Sequence, residues 1–467
     1  MKTRLAFSII ISGMLFLFFG MDLCLNLPVA FADNVDEQQA FEDTNAQETE
    51  SVFPNIGFME KLEQGFELNL KATALGTITG IATSNKNPGN RFAQIPDKGI
   101  ILTLKPDMSL VYDDWLFSAK PRLELEQNQW TIDGNSHNSS DQKAQIIEFK
   151  IRRLLFDNLF ASYGCENLQW GPSFLYSPSN PFFNDNGKKN LVEDLKGKGF
   201  FKLVFVHDFS WSTSLIYNSD KGAFNESDFK KVLALKIDYS GDESYASLIL
   251  SHKDNKETRL GLFGGTTLND AVILYAEANL QQGSQALFPV ALQNPLAWQL
   301  DAIKKDDHSL YTTLITGMGY TFESGDTMTL EYLYYGQGYD SKEASNYRLL
   351  KNTAASFYSS GTALAGYGGK VLGDAASNGL DFLRQNYLMV QYLNEDILEE
   401  IIDGIDLVSR LTYCLDDKSS RLYSSLSYDM NDHTELMLSG MMNTGGVDAS
   451  FGTFLDYQVQ VALEYSF

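Results

Sequence analysis

The sequence has few of the residues from which most active sites are built. Its 467 residues include three cysteines and five histidines, and no Cys/His cluster has the spacing of a zinc site. A glycine-rich phosphate loop is also missing. His137 and Ser139 are close in sequence, but they lie in a polar stretch. We therefore expect no enzyme activity, no cofactor and no metal.

Long hydrophobic runs are missing after the first 32 residues, so no later segment reaches the roughly 20 apolar residues of a transmembrane helix. Proline is scarce at 11 residues, whereas aromatic residues make up 13% of the chain and hydrophobic residues 44%. A chain rich in Tyr and Phe, with polar residues dispersed among short apolar segments, is typical of a membrane β-barrel.

Positive charge is also in short supply. The chain has 36 Lys and Arg against 60 Asp and Glu, which gives a formal net charge of -24. Such acidity argues against nucleic acid as a partner, because phosphates are bound by Lys and Arg. Residues 33–50 hold seven carboxylates and no Lys or Arg. We expect residues 33–60 to form an acidic, unstructured periplasmic segment.

The chain begins with the features of a secretory signal peptide. Lys2 and Arg4 precede an apolar stretch, and Ala30-Phe31-Ala32 then gives the small-x-small pattern of a cleavage site. Residues 1–32 are predicted to be removed during export to the cell envelope.

Residues 61–467 are predicted to form a transmembrane β-barrel. Short segments there alternate apolar and polar side chains, which is the period-two signature of strands. The longer segments match the roughly 9–11 residues that a tilted strand needs to cross a bilayer. Eighteen candidate strands lie near 66–78, 99–105, 115–126, 145–152, 159–165, 200–206, 211–217, 232–240, 245–252, 258–266, 271–280, 310–322, 327–336, 385–393, 402–414, 420–429, 433–442 and 455–467.

The connections between these strands alternate in length. Short polar turns, such as 240–243 and 323–326, alternate along the chain with longer connections. An outer-membrane barrel has short periplasmic turns and long outer loops, so the pattern predicts an all-β, antiparallel, up-and-down barrel with both ends in the periplasm. Connections 253–257 and 415–419 are short where outer loops are expected, so sixteen strands is an alternative to eighteen. The predicted long loops are 79–98, 127–144, 166–199, 281–309 and 337–384.

The last strand presents Tyr, Val and Leu side chains on one face and ends on phenylalanine. Gln460, Ala462, Tyr465 and Phe467 resemble the C-terminal assembly signal of Gram-negative outer-membrane proteins. The resemblance implies a porin-like barrel in the bacterial outer membrane, with membrane lipid and the barrel-assembly machinery as its partners.

Charged side chains at inward positions are candidates for the lining of a water-filled passage. The alternative is a filled interior in which these charges pair with one another. Eighteen strands leave a barrel wide enough for an aqueous channel. The candidates are Lys120, Arg122, Glu124, Glu126, Glu148, Lys150, Arg152, Lys202, Lys236, Asp238, Glu331, Asp406, Arg410 and Arg421.

Residues 167–183 combine three prolines with five aromatic residues, so this stretch should be ordered and packed. It resembles a Trp-Gly…Ser-Pro-x-Asn-Pro segment of some large porin-like and exporter-like barrels. We expect either a constriction loop inside the barrel or a rigid outer cap. The candidate constriction residues are Trp170, Tyr176, Phe182 and Phe183. Elsewhere in the loops, 342–352 is predicted to be helical, and the apolar stretch 286–292 should pack inward or against a partner.

These features favour a porin-like channel that passes small hydrophilic solutes, or a polymer, by diffusion. One alternative is a barrel that sheathes a periplasmic or lumen-bound partner such as a multihaem cytochrome. The chain has no Cys-x-x-Cys-His haem attachment motif, so electron transfer would need that separate protein. A structural or adhesive barrel is the third possibility.

Overall fold

The computed structural model describes residues 58–182, 197–218, 231–253, 257–284, 286–291, 298–302, 309–397 and 404–467. The predicted signal peptide and almost all of the acidic segment 33–60 lie outside these ranges. The first described element is helix α1, Phe58–Gly65, so the last residues of the segment predicted to be unstructured are helical. This helix is fixed to the start of the barrel, where Lys61 Nζ lies 2.8 Å from Asp113 Oδ1.

Eighteen of the strands in the described residues form one sheet, in which each strand pairs with its neighbours in antiparallel fashion. The remaining two, β12 and β13, form a separate hairpin. The prediction of an eighteen-stranded, all-β barrel is therefore confirmed, and the alternative of sixteen strands is wrong. The strands are β1 Phe66–Ile81, β2 Lys98–Tyr112, β3 Trp115–Ile132, β4 Asn135–Phe156, β5 Leu159–Glu166, β6 Lys198–Val206, β7 Trp211–Asn218, β8 Val232–Ser240, β9 Ser244–Lys253, β10 Glu257–Asn269, β11 Val272–Gln282, β12 Leu287–Ala291, β13 Trp298–Ala302, β14 Leu310–Thr321, β15 Thr327–Tyr335, β16 Asn386–Asn394, β17 Ile405–Cys414, β18 Ser420–Asn431, β19 Thr434–Thr444 and β20 Leu455–Ser466.

The sheet closes because the last strand pairs with the first. The register of β20 on β1 runs from Lys71 opposite Ser466 to Ile81 opposite Leu455. The backbone N–H of Phe467 then donates to Leu70 O at 2.9 Å. Closure satisfies the backbone groups that an open sheet would leave at its edges, which is what makes a β-sheet stable in a lipid bilayer.

The two faces of the strands are inverted relative to those of a soluble protein. Large apolar side chains such as Ile78, Leu125 and Leu262 are exposed on the outer face, whereas polar groups such as Ser214 and Glu331 are buried on the inner face. The period-two alternation therefore places the apolar surface where lipid would cover it. Among the described residues, no helix combines the length and the apolarity needed to cross a membrane.

The lengths of the connections alternate as predicted, with one correction. Residues 127–144 were predicted to be a long loop, but β3 and β4 extend through them and meet at a tight turn. Asp133 and Gly134 form that turn with φ angles of 53° and 80°. Both faces of this part of β4 are exposed, so its residues carry no apolar alternation from which a strand could be predicted.

Two helices fill the longest connection, between β15 and β16. Helix α2, Ser341–Ser359, contains the predicted helix 342–352, and helix α3 is Ala365–Ala376. Asp340 caps α2 through a reciprocal pair of hydrogen bonds with Glu343. The β12–β13 hairpin packs against these helices, with Phe288 in a shared apolar core. The described part of the predicted apolar stretch, 286–291, thus packs against a partner within the same chain, whereas residue 292 lies outside the described residues.

Both helices belong to a connection at the end of the barrel that is predicted to face outward, and this orientation has a direct test. With Cys165 and Cys414 replaced, Ser360→Cys should react with a membrane-impermeant maleimide on intact cells. Ser324→Cys, in the opposite turn, should react only after the outer membrane is permeabilised. Both positions are exposed, so permeabilised cells provide the control for intrinsic reactivity. Labelling of Ser324→Cys on intact cells, with none of Ser360→Cys, would show that the predicted orientation is inverted.

Candidate pore and its internal loop

Every charged residue predicted to line the lumen lies on the inward face of its strand, as the registers require. The fourteen residues are distributed over seven strands. These are β3 with Lys120, Arg122, Glu124 and Glu126, β4 with Glu148, Lys150 and Arg152, β6 with Lys202, β8 with Lys236 and Asp238, β15 with Glu331, β17 with Asp406 and Arg410, and β18 with Arg421.

Much of this inner charge is paired. Lys120 Nζ lies 2.8 Å from Glu148 Oε2, and a guanidinium nitrogen of Arg122 lies 2.7 Å from Asp107 Oδ1. The same wall also pairs Lys143 with Glu126, Lys202 with Glu166 and Lys236 with Asp238. Cations and anions alternate along the wall, so it presents both signs of charge to a solute.

The charged residues differ in their access to water. The Lys120 side chain is 38% exposed, whereas that of Lys236 is 1% exposed. On β1 and β3 the side chains of Lys71 and Lys120 reach the solvent in the lumen, although Arg122 of β3 is buried. On β6 and β8 Lys202 and Lys236 are covered. The inward position that the sequence predicts is therefore not enough to make a residue part of the water-facing lining.

The cover is provided by residues 167–182, which we call the internal loop. Trp170 and Phe182 are buried against the inner wall, in a cluster with Phe200 of β6 and Ile249 of β9. Lys236 Nζ lies 5.3 Å from the centre of the Trp170 ring, in a cation–π contact. The loop therefore lies inside the barrel and not over its mouth. The predicted constriction residue Phe183 lies outside the described residues.

The internal loop also reaches the opposite wall. The carboxylate of Glu277 on β11 accepts from Ser177 Oγ at 2.6 Å and from the backbone N–H and Oγ of Ser179 at 3.0 and 2.7 Å. The carboxylate of Glu331 on β15 accepts from the backbone N–H groups of Phe174 and Leu175 at 2.6 and 2.9 Å. Because the loop begins at β5, these contacts span the lumen.

Tyr176 fixes the loop to the outer connections. Its ring packs edge-on against Tyr335 and Phe382, with centroid distances of 5.9 and 5.7 Å. Its hydroxyl donates to Asp381 Oδ2 at 3.0 Å. Aromatic and aliphatic side chains therefore form a buried cluster on the β14–β16 side of the lumen.

At the outer end, three connections meet at a buried charge cluster. Lys86 Nζ and Lys351 Nζ lie 3.8 and 3.9 Å from the same oxygen of Asp448. Burial lowers the pKa of Lys351 to about 8, although Asp448 opposes that shift. The cluster links the β1–β2 connection, helix α2 and the β19–β20 connection, so it holds the outer cap together.

No family model matches the sequence, and no curated protein matches it. The structure does match solved structures of bacterial outer-membrane channels. With OccAB1 of Acinetobacter baumannii the TM-score is 0.54 at 10% identity, over 86% of this chain and 96% of that one. With OccK7 (OpdD) of Pseudomonas aeruginosa the values are 0.51 and 8%, over 86% and 98%. With OprD of P. aeruginosa they are 0.50 and 11%, over 87% and 96%.

The fold is that of an outer-membrane porin. At these identities the likeness extends to the fold and no further. The porin fold accounts for the inverted faces, the closed sheet and the alternation of short turns with long connections.

In this porin fold the four residues of the assembly signal divide between the two faces of β20. Gln460 and Ala462 point into the barrel, where Ala462 contacts Leu75 and Met437. Tyr465 and Phe467 lie on the outer face, and their rings pack edge to face at 4.9 Å. The predicted orientation of the last strand is confirmed, whereas its role in assembly stays a prediction.

Glu277 was missed among the lumen-facing residues, although the sequence contained the signal. Tyr275, Glu277 and Asn279 alternate with apolar side chains along β11, as the predicted residues do on their strands. Glu464 on the last strand was missed for the same reason, and Lys71 Nζ lies 2.6 Å from it.

Proposed function

We propose that the protein is an outer-membrane channel through which small hydrophilic solutes diffuse. The observation that carries this proposal is the internal loop inside an eighteen-stranded barrel. Eighteen strands enclose a lumen wide enough for water, and a loop folded into it would narrow the passage without filling the barrel. The exposed side chain of Lys120 supports an aqueous space next to β3.

The polar lining suits small solutes that carry hydroxyl groups or charges. Pairs such as Lys120 with Glu148 and Arg122 with Asp107 place both signs of charge in the lumen. Selectivity in such a passage follows from its diameter and from the groups that line it. We infer that size is the main criterion and that the preference for one sign of ion is weak.

A sheath around a multihaem cytochrome, or a conduit for a polymer, would need a wide unobstructed lumen. The contacts of the internal loop with Glu277 and Glu331 argue against both uses, because an occupant of that size would have to displace the loop.

Conductance measurements test the channel proposal. Purified protein, refolded in detergent and shown to be a barrel by its heat-modifiable electrophoretic mobility, should produce discrete conductance steps in planar bilayers. Liposomes that contain it should swell in solutions of small sugars and progressively less in larger oligosaccharides. Heat-denatured protein provides the control. A folded barrel that produces neither steps nor swelling would contradict the proposal and favour a filled or sheathing barrel.

A further inference from the structure

The internal loop has an ordered structure of its own. Asn180 Nδ2 donates to Leu168 O at 2.6 Å, and Ser177 Oγ lies 2.7 Å from Trp170 O. The Asn180 side chain also accepts from the backbone N–H of Phe182 at 2.9 Å. These bonds define the shape of the loop but not its place in the lumen, so the place must be determined by contacts with the wall.

The contacts with the two walls differ in their hydrogen bonds. On the near side, apolar packing of Trp170 and Phe182 is joined by Lys198, whose Nζ donates to Phe182 O at 2.6 Å. On the far side, apolar packing of Leu175 and Tyr176 is joined by hydrogen bonds to the carboxylates of Glu277 and Glu331. Such charge-assisted bonds are stronger and more directional than apolar contacts, so the far side fixes the angle at which the loop crosses.

Each far-wall carboxylate is directed at the loop. Glu277 accepts hydrogen bonds from Ser177 and Ser179 of the loop. Glu331 accepts two backbone bonds from the loop and one from Tyr275, whose hydroxyl lies 2.7 Å away. A buried carboxylate is costly unless donors surround it, and here the loop provides most of those donors.

Glycines allow the loop and the wall to meet at backbone distance. A Cβ at Gly171 in the loop would lie 2.4 Å from Glu277 Oε2, and one at Gly261 on β10 would lie 2.5 Å from Ser179 O. Gly171 also has a φ of 94°, in the region that side chains disfavour. These contacts are steric and do not depend on charge. They are consistent with the position of the loop that the carboxylate hydrogen bonds define.

We propose that Glu277 and Glu331 are positioning residues that hold the internal loop across the lumen and so determine the width of the passage. This inference rests on the proposed channel function. If it is correct, the aperture depends on two carboxylates of the far wall and not on the loop alone.

The experiment measures the position of the loop separately from conduction. In a background without Cys165 and Cys414, spin labels are attached to Pro172→Cys in the loop and to Asp270→Cys in the β10–β11 turn. Pulsed electron resonance should give one narrow distance distribution. In Glu277→Ala/Glu331→Ala the distribution should broaden, and the single-channel conductance should rise by about half or more.

Matched variants separate a positioning role from general destabilisation. Glu277→Gln keeps one acceptor and should give a smaller change than Glu277→Ala. Gly261→Ala pushes on Ser179 without altering charge and should also broaden the distance. Glu435→Gln removes an inward carboxylate of β19, which pairs opposite Glu464, and should leave the distance unchanged.

The outcomes are distinct. A distance distribution and a conductance that are both unchanged in the double alanine variant would overturn the proposal, because apolar packing would then suffice to position the loop. A broadened distance in a barrel that never conducts would support the positioning role and contradict the channel function. If the double alanine variant does not fold, Glu277→Gln and Gly261→Ala replace it. A distance distribution that is unchanged in Glu277→Gln but broadened in Gly261→Ala would then overturn the proposal.

Discussion

Replacing the internal loop, residues 167–182, with a short Gly/Ser connection should raise the single-channel conductance about twofold or more, because an eighteen-stranded barrel without it is wide enough to hold an aqueous channel. The size limit for sugars in liposome swelling should rise as well. We expect the barrel to fold, since the entropy of closing a loop changes slowly with its length. The cost is exposure of the apolar patch around Phe200 and Ile249, so the shortened protein should be less resistant to heat.

A shortening of similar size elsewhere is the control. Removing residues 129–132 and 135–138 shortens the β3–β4 hairpin and keeps its Asp133–Gly134 turn, because Asn128 and Ser139 are partners in the register. This part of the hairpin is largely exposed, so its loss should leave the conductance unchanged. Equal conductance of the wild-type and loop-shortened barrels would mean that the internal loop does not narrow the passage. An equal rise in both variants would point to a general loosening of the barrel.

The strands could be predicted from the sequence because a membrane barrel imposes a strict rule on them. Lipid on one face and water or polar groups on the other force the alternation seen in β20, from Tyr457 to Phe467. The prediction of strands failed where this alternation is absent. Residues 135–144 of β4 meet water on both faces, so their polar sequence looked like a loop.

The inward direction of charged residues could be predicted, but their exposure could not. Lys120 and Lys236 both lie on the inward face of their strands, yet one reaches the solvent in the lumen and the other lies beneath Trp170. The difference arises from the internal loop, which is distant in sequence from β8. The prolines and aromatics of the loop indicated that it packs, but Ser179 and Glu277 lie 98 residues apart, and no local pattern links them.

The second large effect is expected from changes in the last strand, which should alter the amount of assembled barrel. Deleting Phe467, or replacing Tyr465 with Asp, should lower the amount of barrel in the outer membrane severalfold and increase its degradation in the periplasm. Both aromatic side chains lie on the outer face, and Phe467 is 69% exposed, so an assembly machine could contact them. Phe467 also donates its backbone N–H to Leu70 O next to the closing β1–β20 pair. Heat-modifiable barrel in membrane fractions, measured at low expression, is the readout.

Two different causes could produce that loss, and a matched variant separates them. Phe209, in the turn between β6 and β7, is 75% exposed and lies at the same end of the barrel, but it is remote from the last strand. Phe209→Ala should leave the assembly level unchanged if the machinery reads the C-terminal strand. If Phe209→Ala lowers the level as much as deletion of Phe467 does, the effect comes from aromatic anchoring at the membrane interface. Purified Phe467-deleted protein that refolds in detergent as fast as wild type would place the defect in delivery to the membrane and not in the stability of the closed barrel.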